Sequence, residues 1–151
     1  MVNRLVVDTS VLVEYLDYSS PFSGKVEELF ARASRGESTL YILPQVVAEL
    51  YYVASRFYEA MGVRNPNNRA FEYILWLQHH PGIVFVDSLD YRLSIRAGEL
   101  KKQLRIALTD CYVIAYAESI NGKPVFRRIE REMKNSIDKI RKLDIIFLED
   151  T

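Results

Sequence analysis

The chain has 151 residues, 49% of them hydrophobic and 26% charged, which is the composition of a folded globular protein and excludes a disordered one. Twenty basic residues balance twenty acidic ones, so no net field draws the protein toward polyanions and any nucleic-acid contact has to be local. No apolar run approaches the roughly 18 residues of a membrane span, and the single cysteine, Cys111, excludes an internal disulfide framework or a cysteine-rich zinc site.

Short β-branched runs alternate with longer segments of helical period, which predicts an α/β fold with a central parallel sheet flanked by helices. The length suits one domain over 1–151, and the opening residues lack a signal peptide's apolar run and cleavage site, so a cytoplasmic protein is expected. Residues 4–7 read as the first strand. A helix from Ser10 through Leu12, Val13 and Leu16 follows, with Asp8, Thr9 and Ser10 as candidate caps. The next helix spans 22–33 and ends near Gly36. A strand over 39–43 runs into Pro44, a residue suited to a first helical position, so 45–58 reads as a helix leaving that strand's end. In a helix over 67–78, Phe71, Ile74, Leu75 and Gln78 share a stripe, and Phe71, Leu75 and Trp76 suit either the core or a homodimer face. His79 and His80 close it, where the helix dipole accounts for them better than catalysis does. A strand over 83–86 precedes a helix capped by Asp87 or Ser88 and reaching Gln103. Thr109 is the expected cap of a helix over 110–119, which stops at the turn of Asn121 and Gly122. Strands over 124–126 and 144–148 enclose a helix over 128–138. Tyr51, Tyr52, Phe57 and Tyr58 are expected in core or interface packing.

Three acids stand alone in apolar company: Asp8 after Leu5-Val6-Val7, Glu49 among Val46, Val47, Leu50 and Val53, and Asp110 ahead of Cys111-Tyr112-Val113-Ile114. An unpaired buried carboxylate costs several kcal/mol, so each requires a partner. Asp8 ends a strand, Glu49 lies in the first turns of a helix leaving a strand, and Asp110 opens a helix. In a parallel sheet all three can therefore reach one crevice at the strands' carboxyl edge. Carboxylates without cysteine or histidine select Mg2+ or Mn2+, and such sites suit phosphodiester hydrolysis. Between Arg127 and Lys142 seven basic residues face three acidic ones, which fits a solvated helix face or a phosphate-binding one. No glycine-rich phosphate loop is present.

Val6-Val7-Asp8-Thr9-Ser10-Val11-Leu12, Pro44-Gln45-Val46-Val47-Ala48-Glu49-Leu50 and Leu108-Thr109-Asp110-Cys111-Tyr112-Val113-Ile114-Ala115 resemble, in order and separation, three motifs of the PIN domain. The resemblance implies a PIN fold and a Mg2+- or Mn2+-dependent endoribonuclease, commonly the toxin of a VapBC-type pair with a small antitoxin as partner and RNA as substrate. It implies that Asp8, Glu49 and Asp110 hold the metal, with the hydroxyl of Thr9 or Ser10 supporting Asp8 and Thr109 nearby. The family's aspartate after the fourth strand is missing, because its position falls near Arg128. Glu130 is the favoured substitute over Glu132, since a helix starting at Arg127 or Arg128 would place Glu130 in its first turn and rotate Glu132 away. Arg127, Arg128 or Arg131 is then expected to clamp the scissile phosphate. Two other readings stand: a PIN-like RNA-binding or protein-interaction module that lost activity with the fourth acid, and an RNA-processing nuclease.

Overall fold

The computed structural model describes residues 2–151. Five parallel strands, β1 (Asn3–Val7), β2 (Ser38–Ile42), β3 (Ile83–Phe85), β4 (Lys123–Phe126) and β5 (Ile146–Phe147), form one sheet in the order β3-β2-β1-β4-β5. The middle strand β1 is covered on both faces, which is why Leu5, Val6 and Val7 form a continuous apolar run without polar alternation. The chain steps outward from β1 to β2 and β3, then returns to lay β4 on the other side of β1. That reversal opens a crevice beyond the carboxyl ends of β1 and β4.

Around the sheet run α1 (Thr9–Leu12), which continues as a 3-10 turn over Val13–Tyr15, then α2 (Ser23–Ser34), α3 (Pro44–Ala60), α4 (Pro66–His79), α5 (Tyr91–Leu104), α6 (Leu108–Ser119), α7 (Arg131–Lys134) and α8 (Ile137–Arg141). Among the described residues no helix is long and apolar enough to cross a membrane. Leu12, Leu40, Ile42, Leu50, Ile114 and Phe126 are fully buried, each stabilising the fold by about 1.5–3 kcal/mol through lost water contact. Two glycines permit close approaches. A Cβ on Gly82 would lie 2.4 Å from the carbonyl oxygen of Ala33, and one on Gly122 would lie 2.6 Å from that of Arg4.

Several local expectations need correction. The first helix is a single α-turn followed by the 3-10 turn, and β5 is only two residues long before a final 3-10 turn over Leu148–Asp150. Asp90, accepting from the Arg92 amide at 2.8 Å, caps α5 in place of Asp87 or Ser88. Helix α6 begins at Leu108, after Ala107, so Thr109 lies inside the first turn and caps nothing. The predicted helix over 128–138 is two short helices broken at Asn135 and Ser136. On α4 the buried stripe is Ala70, Tyr73 and Leu77, one position away from the expected one. Phe71 and Trp76 are 54% and 43% exposed, and Trp76 stacks on Tyr15 at 5.3 Å between ring centres. Tyr51 and Tyr52 are also exposed, so the core does not explain them.

Candidate active site

Strand β1 delivers Asp8 to the crevice, and the Asp8 amide donates to the carbonyl of Val125 on β4 at 2.9 Å. Asp8 is 6% exposed and serves as the cap of α1, where Oδ2 accepts from the Ser10 amide at 3.0 Å. Burial raises its pKa, the Ser10 bonds oppose that rise, and Glu49 adds to it.

Pro44 starts α3 directly on the end of β2, which sets Glu49 in the second turn over the same edge. The buried stripe of α3 is Val46, Leu50 and Ala54, whereas Glu49 itself is exposed and not part of the core. Its position beside the stripe faces α1, and Glu49 Oε1 accepts from the Thr9 hydroxyl at 2.7 Å. Thr9 therefore supports Glu49. Of the two residues expected to support Asp8, Ser10 does so, through its amide.

Asp110 lies in the first turn of α6, half-buried. Its pKa is pushed up to about 8, first by burial and then by the charges of Asp8, Glu49, Glu130 and Glu132. Among the described residues no hydrogen bond reaches the Asp110 carboxyl, while Asp8 and Glu49 each have a donor. Asp110 is thus the uncompensated acid of the cluster. Thr109 makes no side-chain hydrogen bond among the described residues.

The segment after β4 differs most from expectation. Glu130 precedes α7 in an extended conformation instead of lying in a helical turn, and Glu132 is in the first turn. The rotation that separated the two glutamates along one helix does not apply, and both contribute to the charge at Asp110. Arg127 is engaged inside the protein. Its amide donates to Ser10 Oγ at 3.1 Å, Nη1 lies 2.6 Å from Glu14 Oε1, and Nη2 lies 3.6 Å from Glu130 Oε1. Arg128 and Arg131 are exposed and make no ion pair among the described residues.

Glu14 is a further buried acid at this edge, outside the three motifs. It is 9% exposed, and its second carboxylate oxygen accepts from the Ser20 hydroxyl. The signal was there, because Glu14 is another lone acid in the apolar run Val11-Leu12-Val13-Glu14-Tyr15-Leu16.

The donor set suits a hard divalent cation: carboxylates gather at one edge, and a bound cation would favour the ionised form of Asp110 against the burial and neighbouring charges that push its pKa up to about 8. As the side chains stand, no group of three or more acidic, histidine or cysteine side chains among the described residues is drawn closely enough together to hold an ion. Glu49 Oε1 accepts from Thr9, and Glu130 Oε1 lies 3.6 Å from Arg127 Nη2.

Among solved structures, the chain is similar to VapBC2 from Rickettsia felis, solved bound to a DNA fragment from their promoter, with TM-score 0.63 and 17% identity over 95% of this chain and 96% of that one. It is similar to VapC20 of Mycobacterium tuberculosis, a sarcin–ricin-loop-cleaving toxin, with TM-score 0.60 and 13% identity over 87% and 94%. It is likewise similar to PAE2754 from Pyrobaculum aerophilum, with TM-score 0.61 and 16% identity over 99% and 93%. At these identities the shared property is the fold. No curated protein matches the sequence. The sequence does match the family model for the PIN domain over residues 5–128, which takes in β1 through β4 and the segments carrying Asp8, Glu49 and Asp110, and the chain therefore belongs to the PIN domain family.

Proposed function

We propose that this chain is a metal-dependent endoribonuclease of the VapC-like toxin kind, acting in the cytoplasm and held in check by a small antitoxin. The observation that carries this reading is the pile-up of carboxylates at the β1–β4 crevice, with Asp110 pushed up to about 8 by burial and then by its neighbours' charges. Asp110 has no hydrogen-bond donor among the described residues, unlike a structural acid such as Asp90, which accepts from the Arg92 amide at its helix cap.

Asp8, Glu49 and Asp110, with Glu130, would hold Mg2+ or Mn2+. When bound, such an ion supplies Lewis acidity toward a phosphate oxygen and makes a neighbouring water more acidic. The chain's own residues do the rest. Thr9 keeps the Glu49 carboxylate from wandering, Ser10 favours the ionised form of Asp8, and the half-buried setting of Asp110 limits competing water. Arg128 and Arg131, exposed and free of ion pairs among the described residues, suit the RNA phosphates. Ser136 Oγ donates to the Leu104 carbonyl at 3.0 Å and Lys139 Nζ to the Gln103 carbonyl at 3.3 Å, so the basic α7–α8 segment lies against the end of α5 with its exposed Lys101, Lys102 and Arg105. That surface suits a phosphodiester backbone entering the crevice. The exposed Phe71, Leu75 and Trp76 of α4 suit a second copy of the chain or the antitoxin.

A second reading, an RNA-binding or protein-interaction module without full activity, draws on Arg128 standing where the family's fourth aspartate is expected. Incubating a defined RNA with the wild-type chain in Mg2+, in Mn2+ and in EDTA separates the two. Cleavage that requires the ion and disappears in Asp110→Asn supports the nuclease, whereas RNA binding without cleavage in either ion supports the module. Co-purification with the product of a neighbouring small gene separates a toxin from an RNA-processing nuclease.

A further inference from the structure

The guanidinium of Arg127 pairs with two acids near the crevice, one through a short hydrogen bond and one through a longer ion pair. Nη1 is 2.6 Å from Glu14 Oε1, Nη2 faces Glu130 Oε1 at 3.6 Å, and the backbone amide is fixed to Ser10 Oγ at 3.1 Å. Glu14 is in turn buried and braced by Ser20. Its side chain is 11% exposed against 25% for Arg127 and 39% for Glu130, so the pair grows more rigid toward the Glu14 end. An exposed pair of this kind would contribute little, but a partly buried, charge-assisted contact at 2.6 Å fixes its partners. Glu130 has no helical turn to orient it, because α7 begins only at Arg131. The Glu130 backbone carbonyl accepts from the Met133 amide at 3.0 Å, and among the described residues its side chain pairs only with Arg127.

We propose that Glu14 and Arg127 form an internal tether that positions Glu130 at the acidic crevice, in the place of the aspartate this chain lacks after its fourth strand. Arg127 is thus a positioning residue and not a clamp for the scissile phosphate. The tether joins the 3-10 turn after α1 to the end of β4, the two strand exits that flank the crevice, and so couples Asp8 and Glu130 across 113 positions of sequence between Glu14 and Arg127. The guanidinium also faces the Glu130 carboxylate and partly balances its charge. The inference rests on the metal-binding reading above.

The test is Mn2+ affinity by isothermal titration on the full chain without RNA, for wild type, Glu14→Gln, Glu130→Gln and the double variant. Loss of a residue that orients a ligand typically weakens metal binding about 10- to 100-fold. Both single variants should weaken binding by a similar factor, and the double should be no weaker than Glu130→Gln alone, because both act through one carboxylate. Arg127→Lys keeps the charge but cannot span both glutamates, so it should show the same loss while melting close to wild type. It serves in place of Glu14→Gln should that variant not fold. Wild-type affinity in Glu14→Gln, or losses that multiply in the double variant, would overturn the tether. A wild-type chain that binds no Mn2+ and cleaves no RNA would overturn the nuclease reading instead, so the two failures look different.

Discussion

Replacing Asp110 by asparagine removes the uncompensated acid while keeping its shape, and the effect on stability follows from its titration. The carboxyl is pushed up from the ordinary 3.8 to about 8. Because the folded value lies above the unfolded one, the native chain retains a proton that the unfolded chain has released. The stability tied to that proton is fully present below about pH 4 and is lost as pH rises toward about 8. At about 1.4 kcal/mol per pH unit the loss has an upper limit near 6 kcal/mol, and water around the half-buried group screens it to about 2–3 kcal/mol. Asparagine has no such dependence. For a chain of this size about 1 kcal/mol corresponds to roughly 2–4 °C, so in EDTA at pH 8 to 9 the variant should melt about 5–10 °C above wild type. The gap should close toward pH 4. Excess Mg2+ should also narrow it, because the ion stabilises only the chain that binds it. Differential scanning fluorimetry from pH 4 to 9, with and without Mg2+, measures this, alongside loss of RNA cleavage in the variant. A variant that melts several degrees below wild type at pH 8 in EDTA, or a gap that does not change with pH, would make Asp110 a structural cap instead of a strained acid.

Thr9→Val removes the donor to Glu49 without changing shape, so Mn2+ affinity should fall about tenfold while stability changes by less than about 1 kcal/mol, since exposed Glu49 can turn to water; unchanged affinity in the titration would remove Thr9 from the site. Cys111 is buried and its thiol is pushed up to about 11, by burial first and then by Asp110. Iodoacetamide at pH 8 should therefore alkylate it far more slowly in the native protein than in urea, as followed by mass spectrometry, and equal rates would contradict its placement. Gly82→Ala sets a Cβ 2.4 Å from the Ala33 carbonyl oxygen, which forces backbone to move and should cost about 1–3 kcal/mol by urea denaturation; a neutral result would mean the β3 entrance gives way freely.

Much of the framework was legible without the structure. β1 announces itself as a central strand because burial on both faces requires an uninterrupted Leu5-Val6-Val7 run, and α3 announces its start because Pro44 suits a first helical turn directly after a strand. Asp8 and Asp110 stood out because lone acids among apolar residues are costly unless they do something, and the order of strands and helices placed them at one edge. Glu49 departs from this pattern, because its apolar neighbours belong to the stripe beside it, and on α4 Phe71 and Leu75 face outward instead of inward. The α7–α8 segment misled for a physical reason: short helices there are held by packing of Met133 and Ile140, not by caps or propensity that leave a trace in the sequence. Which acid answers to which partner was beyond the sequence altogether. Thr9 meets Glu49 across 40 residues and Arg127 meets Glu14 across 113, and such pairings depend on side-chain reach between neighbouring strand exits, which exists only once the sheet has formed. Residue patterning carries the inner strands, the long helices and the chemistry at their ends, whereas the short helices and the sharing of the charges arise only once the packed fold brings the strand exits together.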